Sequence, residues 1–240
     1  MSENPPDDSE ERERIRNEIT AVSNRDTVAI VLRETLGAIP VIGPGLTELV
    51  NVAIPNSAFN RLVEFTLDLR SDLARLRDSL NRDYLRTDAA AFMVREIITQ
   101  VGLNYQRENL EALRGAFVNS VITSSRDNER KELYLKILEG MTTLHLRLLY
   151  LCSNPADFLG RRGTTAPQTR GGALMQTILT CLPEMDRSQV TAVWNDLNNS
   201  GLVNGDANSL MGMASDNSLT QLTMHLTDFG RDYVSFITVP

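Results

Sequence analysis

Cysteine is nearly absent. Cys152 and Cys181 are the only two in the 240 residues, and neither belongs to a CxxC pair. That excludes a disulfide framework and makes a reducing cytoplasm the expected setting. Histidine is as scarce: His145 and His225 stand far apart, each beside a leucine. Two cysteines and two histidines at unrelated spacings make no zinc set. Each histidine reads as a satisfied core group rather than a catalytic base, His145 within the inward arc of a long helix. No GxSxG elbow and no GxxxxGK phosphate loop occurs. The chain therefore reads as non-enzymatic, without cofactor and without metal.

Aromatic residues are also few, at 5%, so core volume must come from Leu, Val, Ile and Met, a balance that favours helix over sheet. Basic charge is in deficit. The net charge of -7 argues against a general affinity for nucleic acid or anionic lipid. The opening MSENPPDDSEERER is acidic and polar where an export signal is basic and then apolar. A cytoplasmic protein is expected, peripheral to the inner membrane if a later apolar segment engages lipid.

What is present is helical periodicity. Residues 1–26 hold eight acids against four arginines and read as a charged, frayed tail. Residues 27–57 form an apolar hairpin broken by Pro and Gly: TVAIVLRETLG and LTELVNVAI are two short apolar runs, and IPVIGPG joins them. Asn56 or Ser57 is placed to cap a helix starting near Phe59. Leu62, Thr66, Leu69, Leu73, Leu76 and Leu80 then recur at steps of four and three, which predicts one helix of about 25 residues.

Further helices follow in the 58–159 bundle. Asp88 is placed to cap a segment carrying Phe92, Met93, Ile97 and Val101, which Gly102 closes. Leu110, Leu113, Phe117 and Val121 mark the next. Leu133, Ile137, Leu138, Met141, Leu144, Leu148 and Leu151 predict one long final helix, ended by Pro155.

GRRGTTAPQTRGG at 160–172 reads as a linker. Beyond it, 173–240 follows a different order. ALMQTILTCL is a short helix, and DRSQVTAVWNDLNNSG is a second with Val190, Val193, Trp194 and Leu197 inward. LVNG and LTQLTMHL are expected to pair as strands, and LTDFGRDYVSFI closes as a helix. The fold class expected is mainly α: an apolar hairpin and a helical bundle, then a small C-terminal winged-helix-like α+β domain. Arg187, Gln189, Asn195 and Asn198 would be its candidate contacts.

A winged helix raises DNA binding, and charge opposes it. From Gly171 onward Arg187 and Arg231 stand against Glu184, Asp186, Asp196, Asp206, Asp216, Asp228 and Asp232, or 2 - 7 = -5. Such a surface repels phosphate, so a protein contact outweighs DNA readout. The hairpin raises two other readings. Gly43-Pro44-Gly45 lacks a βαβ frame, Pro44 removes a donor, and Glu48 occupies the turn where phosphate would bind, so no nucleotide loop is expected. Each half of the hairpin is about 9 to 11 residues, roughly 14 to 16 Å of helix. That is short of the about 20 residues a span needs. Ile39, Pro40, Val41, Ile42, Pro44, Leu46, Leu49 and Val50 are the candidate residues for a partner or one lipid leaflet.

Three segments carry a family resemblance. They are the Pro/Gly segment running into IPNSAFNRLVEF, with Asn56 and Arg61; ERKELYLKILEGMTTLHLRLLYL; and LNNSGLVNG followed by LTDFGRDYVSFI. Together they resemble bacterial helical proteins of the abortive-infection alpha type and kindred uncharacterised bacterial families. The resemblance implies a role in bacterial or prophage-encoded antiviral defence and brings no catalytic residues with it. The compact linker and the acidic wing region depart from that pattern. The leading expectation is a non-enzymatic interaction or regulatory protein that binds a protein partner or itself. The alternatives are a membrane-active effector using 27–54, and a DNA-binding regulator.

Overall fold

Helix accounts for nearly all regular structure in the computed structural model, which describes residues 59–122, 127–164, 173–212 and 218–240. The tail and the 27–57 hairpin, with all eight of its candidate residues, lie outside the described residues. Ten α-helices and three short 3₁₀ turns are described, with no sheet among them. The chain divides into two compact units, the second running from Leu133 to Thr238 and the first comprising the residues up to Glu132 with Val239 and Pro240.

In the first unit, α1 (Phe59–Arg75) buries Leu62, Val63, Phe65, Thr66, Leu67 and Leu69. The Thr66 hydroxyl is satisfied inside the helix by donating to the Leu62 carbonyl at 2.7 Å. The helix has 17 residues rather than about 25. Leu73, Leu76 and Leu80 are only half-buried, and Leu80 joins Ile122 in an isolated antiparallel bridge. The polar run RDSLNRD explains the early stop. Asn81 donates its N–H to the Val121 carbonyl at 2.9 Å, and its side-chain oxygen accepts the Tyr84 N–H at 3.0 Å. Those bonds compete with a continued helix.

Helix α2 (Asp88–Leu103) starts one residue earlier in its cap than expected: Thr87 is the N-cap and accepts the Ala90 N–H at 3.3 Å. Asp88 sits in the first turn, where its charge complements the helix dipole. Met93, Ile97 and Val101 are buried as their spacing requires, whereas Phe92 is 37% exposed. Helix α3 (Arg107–Val121) buries Leu113, Phe117 and Val121, and α1, α2 and α3 pack against one another pairwise. Arg114 of α3 ties to α1 through Asp68 at 3.2 Å and Asp72 at 2.9 Å. The shorter approach is an ion pair without hydrogen-bond alignment. On α4 (Asn128–Glu139), Lys131 is buried, donates to the Ser120 carbonyl at 3.1 Å and lies 3.8 Å from the Tyr84 ring centroid. Such a contact offsets part of a desolvated cation's cost.

The second unit holds a correction. The expected long helix over 133–154 is two helices, α4 and α5 (Thr143–Ser153), parted at Gly140. Thr142 caps α5, and His145 completes a capping box with it. Pro155 does not merely stop the helix, because it opens α6 (Pro155–Arg161), where a missing N–H costs nothing. Helices α7 (Leu174–Cys181) and α8 (Arg187–Asn199) form as expected, and Val190, Val193, Trp194 and Leu197 are buried.

Among the described residues the strand pair of a winged helix is not formed. LTQLTMHL folds as α9 (Ser218–His225), and the expected strand pair reduces to one bridge, Val203 with Leu226. Burial gives the reason. Ser218, Leu222 and Leu226 point inward at steps of four, while Met224, which an alternating strand would bury, is 72% exposed. Helix α10 (Asp228–Ile237) closes the chain, and α5 is the hub on which α6, α8, α9 and α10 pack.

The junction of α8 with α10 depends on two glycines. Gly201, at φ +72°, ends α8 in a Schellman turn: Leu202 N–H bonds the Leu197 carbonyl and Gly201 N–H the Asn198 carbonyl, both at 2.9 Å. Thr227 then caps α10 and donates its N–H to the Leu202 carbonyl at 3.0 Å. At Gly230 a Cβ would overlap that same carbonyl oxygen and lie 2.9 Å from Leu226 Cδ1. Beside this junction Tyr134 packs against Phe229, Tyr233 and Phe236 at 5.2 to 5.3 Å between centroids, and its hydroxyl donates to Asp232 at 2.6 Å.

Candidate functional site

The second unit contains a groove of about 470 Å³ between α4, the start of α5 and the end of α8. Leu133, Ile137, Met141 and Leu197 supply its apolar lining, and Lys136, His145, Asp196, Asn199 and Ser200 its polar groups. The break at Gly140 shapes it, since α4 and α5 would otherwise continue as one rod. Helix α4 buries Tyr134, Leu135 and Leu138 on one face, and turns Leu133, Lys136, Ile137 and Gly140 toward the groove. Leu133 is 49% exposed, though its spacing alone marked it as inward. Among the described residues Lys136 has no ion-pair or hydrogen-bond partner.

His145 is the most chemically suggestive side chain in the groove. Its Nδ1 accepts the Thr142 N–H at 3.2 Å and lies 2.8 Å from Thr142 Oγ1. That assigns the proton to Nε2, which faces the Asp196 carboxylate at 3.4 Å. Thr, His and Asp thus stand in a row. The row is a capping device: the Nδ1 lone pair that would take a proton from the hydroxyl is already engaged by the backbone, and Thr142 Oγ1 accepts the N3 N–H of its own helix. His145 is therefore satisfied as expected, but at a helix N-terminus beside the groove rather than deep in the core. His225 is satisfied differently: its Nδ1–H donates to the Asn204 carbonyl at 2.9 Å, and its ring meets Trp194 edge-on at 5.4 Å.

Both thiols are buried and free. Desolvation pushes Cys152 up to about 12 and Cys181 up to about 11, so neither is a thiolate nucleophile near neutral pH. No group of three or more His, Cys, Asp or Glu suited to a metal ion occurs among the described residues.

The four residues considered as winged-helix contacts have local work to do. Gln189 completes a capping box with Asp186, its side-chain oxygen accepting the Asp186 N–H at 2.9 Å. Asn195 accepts the Ala207 N–H at 3.0 Å, and Arg187 approaches the Met211 sulfur at 3.7 Å. Asn198 gives its carbonyl to the Schellman turn. The groove is where an exposed apolar side chain, Leu133, and the charge of Lys136 border a concave lining. Sequence reading missed it because Leu133 and Ile137 fall in phase with the core residues of α5. The sequence signal available was Gly140 followed by Thr142-x-x-His145, a helix stop and a cap in succession. Among the described residues no helix is long and apolar enough to cross a membrane.

No protein-family model, no curated protein and no solved structure significantly matches the chain.

Proposed function

We propose that this chain is a non-enzymatic protein-interaction and regulatory protein, and that the α4–α5–α8 groove receives a segment of its partner. The observation that supports the reading is Leu133, a large apolar side chain left half in water on the rim of an apolar groove, one turn from the unpaired cation of Lys136. Scattered exposed leucines are ordinary. One that continues into a concave apolar lining with polar groups around it has the make-up of a recognition surface. The setting of bacterial antiviral defence rests on the resemblance of the three sequence segments alone. The acidic balance from Gly171 onward weighs against the DNA-regulator reading, and the membrane reading concerns residues outside those described.

A site-directed photocrosslink tests the reading. With p-benzoylphenylalanine replacing Leu133 in the full chain, irradiation in cells should yield an adduct of one discrete mass, and Ile137→Asp should remove it. Absence of an adduct, or one that survives Ile137→Asp, would refute binding at the groove.

A further inference from the structure

We infer that the occupant of this groove is a short amphipathic helix of a second protein, with two apolar side chains about one turn apart, an acidic residue beside Lys136 and a basic residue beside Asp196. The inference rests on the protein-binding reading above and gives it a chemistry. It begins with α4, which carries two apolar faces on 12 residues. The face holding Tyr134, Leu135 and Leu138 is consumed by the core. The other presents Leu133, Lys136, Ile137 and Gly140, the i, i+3, i+4, i+7 series of a helix–helix seam. From Leu133 to Gly140 this seam runs about 10 Å at 1.5 Å per residue, the reach of two anchors one turn apart.

Gly140 adds a second observation. It is exposed, and a Cβ built there would meet nothing closer than the Ile137 carbonyl oxygen at 3.7 Å. The packing of this chain therefore does not require glycine at 140, and its bare backbone leaves room for a second helix to approach closely. The charges then give direction. Lys136 stands on the α4 wall without a partner among the described residues. Asp196 stands on the α8 wall, 65% exposed, with only the imidazole of His145 against its carboxylate among the described residues. The C-terminal end of α8 and the N-terminal end of α5 both reach the groove, so their dipoles oppose one another and leave the side-chain charges to set the preference. A segment with one charge of each sign finds a partner for both Lys136 and Asp196.

The test uses the full-length chain and a displayed library of random 16-residue peptides, with the Leu133→Asp chain as counter-selection. The expected peptides carry an apolar pair at i, i+4 flanked by one acid and one base. Lys136→Glu should weaken them at least about tenfold, and exchanging the peptide's acid for lysine should restore affinity to that variant, since opposite charges across an interface govern partner choice. Gly140→Leu should also abolish binding while leaving the circular dichroism spectrum and melting temperature unchanged. Peptides without the acid, peptides indifferent to Lys136→Glu, or no enrichment at all would overturn the inference. A crosslinked adduct at twice the chain mass would also overturn it, in favour of a second copy of this chain. A Leu133 adduct to another protein alongside failed peptide selection would leave the protein-binding reading standing and remove only the amphipathic helix.

Discussion

The two units solve burial by different means. Up to Glu132 the buried set includes Asp72 and Lys131 together with Thr66, Gln100, Asn109, Asn119 and Ser120. From Leu133 onward the buried polar residues among those described are Thr143, Thr177 and Ser218, none of them charged, and the interior is filled by Tyr134, Trp194, Tyr233 and Phe236. The first unit is thus held in register by polar groups that must find partners, the second by the shape of rings and the close approach of backbones. The difference teaches where each is fragile. A buried ion is costly when its partner goes, whereas a tightly packed junction is costly when volume is added.

The largest expected effect is steric and falls in the second unit. Gly230→Ala drives a methyl group into the Leu202 carbonyl oxygen, a backbone atom that also holds the Thr227 cap. Because no side chain can rotate away, the expected loss is at least about 3 kcal/mol in urea unfolding, at the upper end for overpacking. Hydrogen exchange should accelerate first in α8 and α10. A loss under about 1 kcal/mol would show that the junction yields, and shape would no longer distinguish this unit.

Next comes the polar tie of the first unit. Arg114→Met leaves Asp72, whose side chain is 10% exposed, with only the more exposed guanidinium of Arg75 at 3.3 Å. Removing one member of a fully buried pair costs about 3–5 kcal/mol. Arg114 is 27% exposed, so screening brings the expectation to about 2 kcal/mol. The double variant Arg114→Met/Asp72→Leu should recover most of that loss, because the penalty belongs to a buried carboxylate that Arg75 alone compensates only in part. Equal losses in the single and double variants would mean that packing, not charge, is what matters there.

Alkaline pH sharpens the comparison from the side of the thiols. Burial holds Cys152 at about 12 and Cys181 at about 11, against an ordinary value near 9. Both groups are raised in the folded state, so their contribution is fully present below pH 9 and is lost as pH rises toward 11–12. The unfolded chain deprotonates first. Each pH unit above 9 should cost about 1.4 kcal/mol per thiol. Tyr84 of the first unit, raised to about 12 by burial and then by Glu132, enters only above its ordinary value of 10. Between pH 9 and 10 the slope should therefore fall by about half in Cys152→Ala. An unchanged slope would place the titration elsewhere.

Much of this contrast can be read in the sequence, and the exceptions share a cause. Helices α2, α3, α7, α8 and α10 follow from the period of their apolar residues. Besides the short α6 that Pro155 opens, three features escape. The stripe of α1 keeps its period past Arg75, but Asn81 ends the helix with bonds that periodicity does not encode. Helices α4 and α5 stay in phase across Gly140, so a groove-facing Leu133 looks like a core residue. In α9, Leu222, Met224 and Leu226 alternate as a strand would, and only the burial of Ser218 and the exposure of Met224 reveal the helix. Tertiary choice of which face is inward decided all three, and apolar spacing leaves that choice open.

The smallest effect isolates one polar contact within the shape-governed unit. Tyr134 is fully buried, and its hydroxyl donates to the Asp232 carboxylate at 2.6 Å, while its ring meets three aromatic neighbours. Tyr134→Phe removes the hydrogen bond and keeps the rings. Asp232 is only half-buried, so water can replace the lost donor, and the expected cost is about 1 kcal/mol rather than the full charged-bond value. Tyr134→Leu, which keeps hydrophobicity and removes the ring edges, should cost more, about 2 kcal/mol, from lost aromatic geometry and volume. That ordering is what ring shape requires. If the phenylalanine variant proved the more damaging of the two in urea unfolding, the second unit would depend on this polar contact as the first depends on Arg114, and the contrast between them would collapse.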